Sequence, residues 1–291
     1  MTSLFPSLLW RRWRLWLGAG LSVLLLLGGC ANLDERQRGW IFQPSDRTWS
    51  GGLAAAQGMS DVWIDFDSKL SGQPVKLHGL WLPAERANAP VLLYLHGARW
   101  DVRGSAGRMR RMQEMGFSVL GVDYRGFGQS TKVLPSEGMA YEDARAAWDW
   151  LTRQYPQQPR YVFGHSLGGA IAVHLATEVQ EAASGLIVEG SFSSMADVVS
   201  SFRWGWLPLG PLITQKFEAA ERIKQLRIPL LVVHGSADSL IDPALGRALF
   251  AQAPEPKLFV LVEGGSHHNT NAVGQPQYRQ ALADLFGLQQ H

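Results

Sequence analysis

The sequence has a single cysteine, Cys30, among its 291 residues. One cysteine excludes an intramolecular disulfide and any metal site that needs several thiolate ligands. An excess of charge is also lacking, because 27 Lys and Arg residues stand against 25 Asp and Glu residues. Three of the basic residues lie in segment 1–29, which has no acid, so the rest of the chain has 24 basic and 25 acidic residues. Without a basic stripe, the sequence predicts no nucleic-acid partner.

The N-terminal apolar run, residues 15–27, is shorter than the ~20 residues that a transmembrane helix requires. Basic residues precede it at 10–14, and two glycines and Cys30 follow it. A basic start, a short apolar core and a small-residue exit are typical of a secretory signal peptide. We therefore expect a signal peptide at 1–29, a tether at 30–60 and one folded domain at 61–291. An uncleaved signal anchor with an incidental cysteine is the alternative.

The segment Leu27-Gly28-Gly29-Cys30 resembles the lipobox of bacterial lipoproteins. The resemblance implies that Cys30 carries the lipid and becomes the first residue of the mature protein. It also implies a membrane contact through that lipid in the bacterial cell envelope. Ala31 follows the cysteine where inner-membrane retention would favour Asp, which implies the periplasmic side of the outer membrane if the source is Gram-negative.

Short apolar segments recur along the rest of the chain and indicate a sheet. Two alternating segments, 62–66 and 76–82, predict an antiparallel pair of strands. Six continuous runs predict strands that are buried on both faces of a parallel sheet: residues 91–95, 118–122, 161–163, 186–188, 230–233 and 258–262. Predicted helices lie between them, at 139–154, 168–180, 244–253 and 277–285. This alternation predicts a doubly wound α/β fold with a mostly parallel, eight-stranded sheet.

Residues 191–222 interrupt this alternation, because they are too many for an ordinary connection of about 2–6 residues. We interpret them as a short insertion that forms either a minimal cap over an active site or a longer excursion packed on the core. Two tryptophans, Trp204 in the insertion and Trp100, are candidates for lining an acyl pocket, although tryptophans more often pack in the core.

The motif Gly164-His165-Ser166-Leu167-Gly168 follows a predicted strand and opens a predicted helix. That context is the one in which a Gly-x-Ser-x-Gly motif presents a nucleophilic serine. Ser166 is therefore the predicted nucleophile. The backbone N–H groups of Leu167 and of Ala98, after the strand at 91–95, are the predicted oxyanion donors.

A serine hydroxyl needs a base to accept its proton. In a fold of this kind the acid and the histidine follow the serine in that order. Asp238 lies just beyond the run at 230–233 and is the predicted acid, with Glu189 as the alternative. His267 and His268 lie in a glycine-rich turn after the last predicted strand, and either satisfies the order.

Four segments, 96–98, 123–130, 164–169 and 234–238, together with the Gly-Gly-Ser-His turn at 264–267, resemble the α/β-hydrolase superfamily. The resemblance is to its compact branch, which includes serine aminopeptidase-like and acyl-thioesterase-like proteins, and it covers about residues 60–288. It implies that His267 rather than His268 is the base. The adjacent His267 and His268 have no carboxylate cluster beside them in sequence, so we expect no metal site, and we expect no cofactor.

The leading functional hypothesis is hydrolysis of carboxylic esters or thioesters through an acyl-enzyme on Ser166, Asp238 and His267. The substrate class is a small molecule or an acylated compound. Two alternatives stay open: a serine peptidase on the same residues, and a non-catalytic envelope lipoprotein. Nothing in the sequence indicates an oligomeric state.

Overall fold

An eight-stranded sheet forms the centre of the computed structural model, which describes residues 32–202 and 210–288. The strands are β1 (Ser60–Asp67), β2 (Pro74–Leu82), β3 (Val91–Leu95), β4 (Ser118–Val122), β5 (Arg160–His165), β6 (Gly185–Glu189), β7 (Leu230–Gly235) and β8 (Lys257–Val262). Their order is β1-β2-β4-β3-β5-β6-β7-β8. Strand β2 runs antiparallel to both neighbours, and every other neighbouring pair is parallel. The predicted mostly parallel, eight-stranded fold is confirmed.

Helices cover both faces of this sheet. They are α1 (residues 32–42), α2 (Ser50–Ala56), α3 (Ala106–Glu114), α4 (Glu137–Gln154), α5 (Leu167–Val179), α6 (Met195–Ser201), α7 (Ala219–Ile223), α8 (Pro243–Gln252), α9 (Thr270–Val273) and α10 (Gln275–Phe286). Within the two described ranges, none of them combines the length and the apolar composition that crossing a bilayer requires.

Two apolar cores lie on opposite faces of the sheet because side chains alternate along each strand. On β3, Leu93 and Leu95 belong to the core that α4, α5 and α7 cover. Leu92 and Tyr94 belong to the core under α3 and α10. All five residues of β3 are buried, which explains why the central strands have continuous apolar sequences rather than alternating ones.

The N-terminal segment from residue 32 is folded onto the domain. Phe42, at the end of α1, is fully buried and packs edge-on against Phe217, with 5.8 Å between ring centroids. The N–H of Arg99 donates to the carbonyl oxygen of Phe42 at 3.0 Å, and the N–H of Gly128 donates to that of Ser45 at 2.9 Å. The tether expected at 30–60 is therefore corrected for residues 32–56. This segment contacts parts of the chain that are distant in sequence, and such contacts cannot be predicted from the local periodicity of apolar residues.

The insertion at 191–222 contains α6, a 3₁₀ turn at Gly210–Leu212 and α7. It contacts α1 directly, because the side chain of Gln37 donates to the carbonyl oxygen of Leu212 at 2.7 Å. Trp40 of α1 also meets Phe202 edge-on, with 6.3 Å between centroids. Trp204 lies outside the described residues, as do Cys30 and the predicted signal peptide.

Candidate active site

Ser166 occupies a strained turn between β5 and α5. Its φ of 56° and ψ of −125° lie in a region that residues with a side chain rarely adopt. Two backbone hydrogen bonds hold the turn: the Ser166 N–H donates to the carbonyl oxygen of Glu189 at 2.9 Å, and the Ser166 carbonyl accepts from Gly169 at 2.9 Å. The turn exposes Ser166 to a cavity at the carboxyl ends of the parallel strands.

The two glycines that flank Ser166 are required by close backbone contacts. A Cβ atom on Gly164 would lie 2.2 Å from the carbonyl oxygen of Gly168. A Cβ atom on Gly168 would lie 2.2 Å from that of Leu95, on β3. The motif therefore has a steric basis: β3, β5 and α5 approach too closely here for any larger residue.

His267 lines the same cavity as Ser166, and Asp238 contacts the far side of its ring. Nδ1 of His267 lies 2.8 Å from Oδ2 of Asp238, and both residues are buried. The other carboxylate oxygen, Oδ1, accepts the N–H groups of Leu240 and Ile241 at 3.0 and 2.9 Å. The carboxylate is therefore fixed on both oxygens, in the orientation that holds one tautomer of the imidazole.

The pKa of Asp238 is held well below its ordinary value. Burial by itself would raise this pKa, but hydrogen bonds from His234 and His267 outweigh burial and lower it. Asp238 is therefore ionised near neutral pH. His268 lies beside His267, with 5.4 Å between ring centroids, and it is exposed. The structure thus pairs the predicted acid with His267.

The loop that follows β3 lies against Ser166. A Cβ atom on Gly97 would come within 3.0 Å of the Ser166 Cβ, so the loop passes the serine at contact distance. Ala98 follows it and lines the cavity with Leu167, the first residue of α5. The first N–H groups of a helix have no acceptor within the helix, and the helix dipole favours negative charge there. Both predicted oxyanion donors therefore lie beside Ser166.

A buried ion pair that the sequence analysis missed supports the backbone of His267. Arg108 of α3 donates from Nε to Oε1 of Glu189 at 2.7 Å. Its Nη2 donates to the carbonyl oxygens of His267 and His268 at 2.9 and 3.1 Å. Burial, the largest influence, would lower the pKa of Arg108. The charge of Glu189 and its hydrogen bond, with contributions from Tyr94 and Tyr278, together outweigh burial and raise this pKa, so Arg108 stays cationic.

Glu189, the alternative acid, is committed to this ion pair. Its second oxygen, Oε2, accepts a hydrogen bond from the hydroxyl of Tyr278, and the residue is fully buried. The carboxylate of Glu189 therefore binds Arg108 and Tyr278, while His267 contacts Asp238. Sequence carries little sign of such a pair, because an arginine on an amphipathic helix ordinarily faces solvent.

The cavity above Ser166 has a volume of about 670 Å³. Much of its apolar wall comes from α1 and from the insertion, through Trp40, Ile41, Phe192, Met195, Val198 and Phe202. Trp100 also lines the cavity, as the sequence suggested. Its described lining includes Arg99 and Arg108 and has no Asp or Glu. Such a cavity suits a ligand that has an apolar portion and no positive charge to be paired with a carboxylate.

No group of three or more His, Cys, Asp or Glu residues in the described parts of the chain is arranged to hold a metal ion. The groups gathered around Ser166 are those of nucleophilic and general acid–base chemistry.

Comparison with known proteins gives matches of three kinds. Residues 86–219 match the family model described as serine aminopeptidase, S33. An uncharacterised protein of Mycobacterium tuberculosis (strain CDC 1551 / Oshkosh) is 35% identical over 250 residues, which cover 85% of this chain and 86% of that protein. Lysophosphatidylserine lipase ABHD12 of Rattus norvegicus is 30% identical over 191 residues. That match covers 60% of this chain and 48% of the lipase, so the alignment spans about half of the lipase.

The fold is also similar to that of solved structures. An esterase of Pyrococcus furiosus superposes with a TM-score of 0.64 and 18% identity, over 85% of this chain and 99% of the esterase. At that identity the likeness concerns the fold alone.

Proposed function

Because this chain belongs to the α/β-hydrolase superfamily, we propose that it is a serine hydrolase that cleaves carboxylic esters or thioesters. The observation that carries the proposal is the grouping around the cavity. Ser166 on its strained turn shares the cavity with His267, and the ring of His267 contacts Asp238 at 2.8 Å. A serine, a histidine and an orienting carboxylate are the groups that acyl transfer uses as nucleophile, base and acid, and their grouping supports the proposal.

The reaction proceeds in two stages. Oγ of Ser166 bonds to the carbonyl carbon while Nε2 of His267 takes the hydroxyl proton. The bond to the alcohol or thiol then breaks, and that group leaves with the proton. Water attacks the acyl-enzyme in the same way, releases the carboxylic acid and restores Ser166. The N–H groups of Ala98 and Leu167 stabilise the oxyanion in both stages, and one such donor contributes about 3 kcal/mol in other enzymes.

An amphiphilic acyl ester is the substrate class that fits the cavity. The apolar wall formed by α1 and the insertion suits an acyl chain, and Arg99 and His268 on the cavity suit an anionic leaving group. A relative is named for hydrolysis of lysophosphatidylserine, which combines these two properties. The apolar wall and the charge of Arg99 support an amphiphilic acyl ester as the substrate class, and the relative's name agrees with it.

A serine peptidase is the second candidate, because the matching family model is described as an aminopeptidase. An aminopeptidase binds the ammonium group of its substrate, and a carboxylate is the usual partner of a cation held in a cleft. The described residues that line the cavity include no carboxylate. Esters and thioesters therefore rank first.

We also propose that a lipid on Cys30 anchors the protein in the cell envelope. The support is the Leu-Gly-Gly-Cys segment after a short apolar run, and it lies outside the described residues. Metabolic labelling with a palmitate analogue should mark the wild-type protein and not Cys30→Ser.

Hydrolysis of p-nitrophenyl esters of increasing acyl length by the full chain tests the catalytic proposal. We expect activity in the wild type and none in Ser166→Ala, since the mutant has no nucleophile. Asp238→Asn should lower kcat by about 10⁴-fold, because it favours the wrong tautomer of His267. A fluorophosphonate probe should label the wild type at Ser166.

Three results would contradict the proposal. Labelling or hydrolysis that persists in Ser166→Ala would remove the serine from the mechanism. Inactivity at every acyl length, together with cleavage of amino-acid anilides, would give first place to the peptidase. Absence of both activities and of probe labelling would favour the non-catalytic lipoprotein.

A further inference from the structure

Exposed apolar side chains surround the mouth of the cavity. We use the term mouth ring for Trp40, Trp49, Trp100, Phe202 and Leu240, all of which line the cavity and are between 43% and 54% exposed. Single exposed apolar residues are ordinary, but a contiguous group around one opening marks an interaction surface. Three of the five are tryptophan, a residue enriched at the interface between membrane and water because its ring is both apolar and polar.

The mouth ring is assembled from separate parts of the chain. Trp40 lies on α1, Trp49 precedes α2, and Trp100 lies in the loop after β3. Phe202 directly follows α6, and Leu240 follows β7. Their exposure is therefore a property of the folded surface around the cavity rather than of one apolar segment.

Helix α1 connects the N-terminal segment of the chain to this ring. The residues before Asn32 include the apolar run 15–27 and Cys30. From Asn32 the chain continues as α1, and Trp40 is eight residues further on. Eight residues of helix span about 12 Å, so whatever apolar group precedes Asn32 is attached within a short distance of the cavity mouth.

The charge at the mouth is compatible with an anionic lipid surface. Arg99 is exposed and lines the cavity, and the described lining residues include no Asp or Glu. An exposed arginine near an anionic membrane contributes attraction, whereas acidic residues there would oppose approach.

From the ring, its connection to the N-terminal segment and this charge, we propose that the mouth ring lies in the interfacial layer of a lipid bilayer. The cavity then opens toward the membrane to which the N-terminal segment is attached. The occupant of the apolar surface is the bilayer, and an amphiphile could pass from it to Ser166 without crossing bulk water. The proposal concerns orientation and stands whether or not Ser166 is a nucleophile.

Labelling of an added cysteine in the full-length protein tests the orientation. Leu240→Cys and Trp100→Cys place a thiol on two sides of the mouth. Ala87→Cys is the matched control, because Ala87 is exposed in the loop before β3, at the opposite edge of the sheet. Each variant carries an environment-sensitive nitrobenzoxadiazole dye and is reconstituted in vesicles of phosphatidylcholine and phosphatidylglycerol. The parent protein, whose only cysteine is Cys30, provides the labelling blank.

We expect the dyes at 240 and 100 to shift to shorter wavelength in vesicles and to be quenched by spin-labelled lipid. The dye at 87 should instead be quenched by aqueous iodide. If the dyes at 240 and 100 behave like the dye at 87, the proposal is wrong. Protection from both quenchers that increases with protein concentration would also overturn it, since a second copy would then cover the ring. Because no turnover is measured, this result is independent of the esterase test. If Trp100→Cys does not fold, the comparison of Leu240→Cys with Ala87→Cys is sufficient.

Discussion

At the scale of single residues, Glu189 connects the turn that holds Ser166 to the backbone of His267. Its carbonyl oxygen accepts the N–H of Ser166, and its carboxylate holds Arg108, which donates to the carbonyl of His267. The candidate nucleophile and the candidate base therefore share one support at the end of β6. A shift of this residue displaces both groups at once.

Replacing Arg108 by lysine should weaken the positioning of His267 while the protein stays folded. Lysine keeps the positive charge beside Glu189 but has no planar fork to reach several acceptors together. We expect Arg108→Lys to lower kcat for a short soluble ester by about 10- to 100-fold, because small misplacements of a catalytic group cost that much. KM should change little. The measurement is steady-state kinetics with the melting temperature recorded in parallel.

The matched control for this change is Arg145→Lys, since Arg145 is an exposed arginine on α4 whose partner is Asp149. It should leave kcat unchanged. An unaltered kcat in Arg108→Lys, with the protein folded, would show that the ion pair has no part in positioning His267.

At the scale of elements, α1 should contribute to stability through Phe42. Phe42 is fully buried against Phe217, and its carbonyl oxygen accepts the N–H of Arg99, in the loop that follows β3. Phe42→Ala should lower the free energy of unfolding by about 3–5 kcal/mol, the usual cost of emptying a buried aromatic site. Chemical denaturation measures this loss.

Leu33→Ala, on the exposed side of the same helix, is the comparison variant. It should change the free energy of unfolding by no more than about 0.5 kcal/mol, as surface substitutions usually do. Equal effects of the two substitutions would argue that α1 does not pack on the domain through Phe42.

The elements that sequence predicts well are those whose signal is local. The bounds of β3 and β4 follow directly from continuous apolar runs that end at polar residues or glycine. The N-terminal segment is the opposite case, because Phe42 is buried by Phe217, which is far away in sequence. The same reason hides the role of Arg108: its partners lie on β6 and after β8.

The candidate site was predictable wherever steric demands leave a motif. Gly164 and Gly168 are dictated by carbonyl oxygens at 2.2 Å, so Ser166 is recognisable from its neighbours. Asp238 and His267 follow from chain order, and the structure brings them to 2.8 Å. The cavity wall was not predictable, since it requires α1 to meet the insertion.

At the scale of the whole molecule, the folded unit should begin at residue 32 rather than at 61. A chain truncated before residue 32 should melt at the temperature of the full chain. Truncation before residue 57 removes α1 and α2, including Ile41 and Phe42, and should lower the melting temperature by roughly 10 °C or more. Circular dichroism on heating measures both. Equal melting temperatures for the two truncations would place the boundary of the domain after α2.

Much of the apolar cavity wall and the candidate catalytic groups come from separate stretches of the chain. That part of the wall is supplied by α1 and the insertion, whereas Ser166, Asp238 and His267 follow β5, β7 and β8. Because α1 and the insertion contact each other, an exchange between homologues should move the two together as one block. We expect a chimera built on these boundaries to keep the reaction of one parent and to take its acyl-chain selectivity from the other.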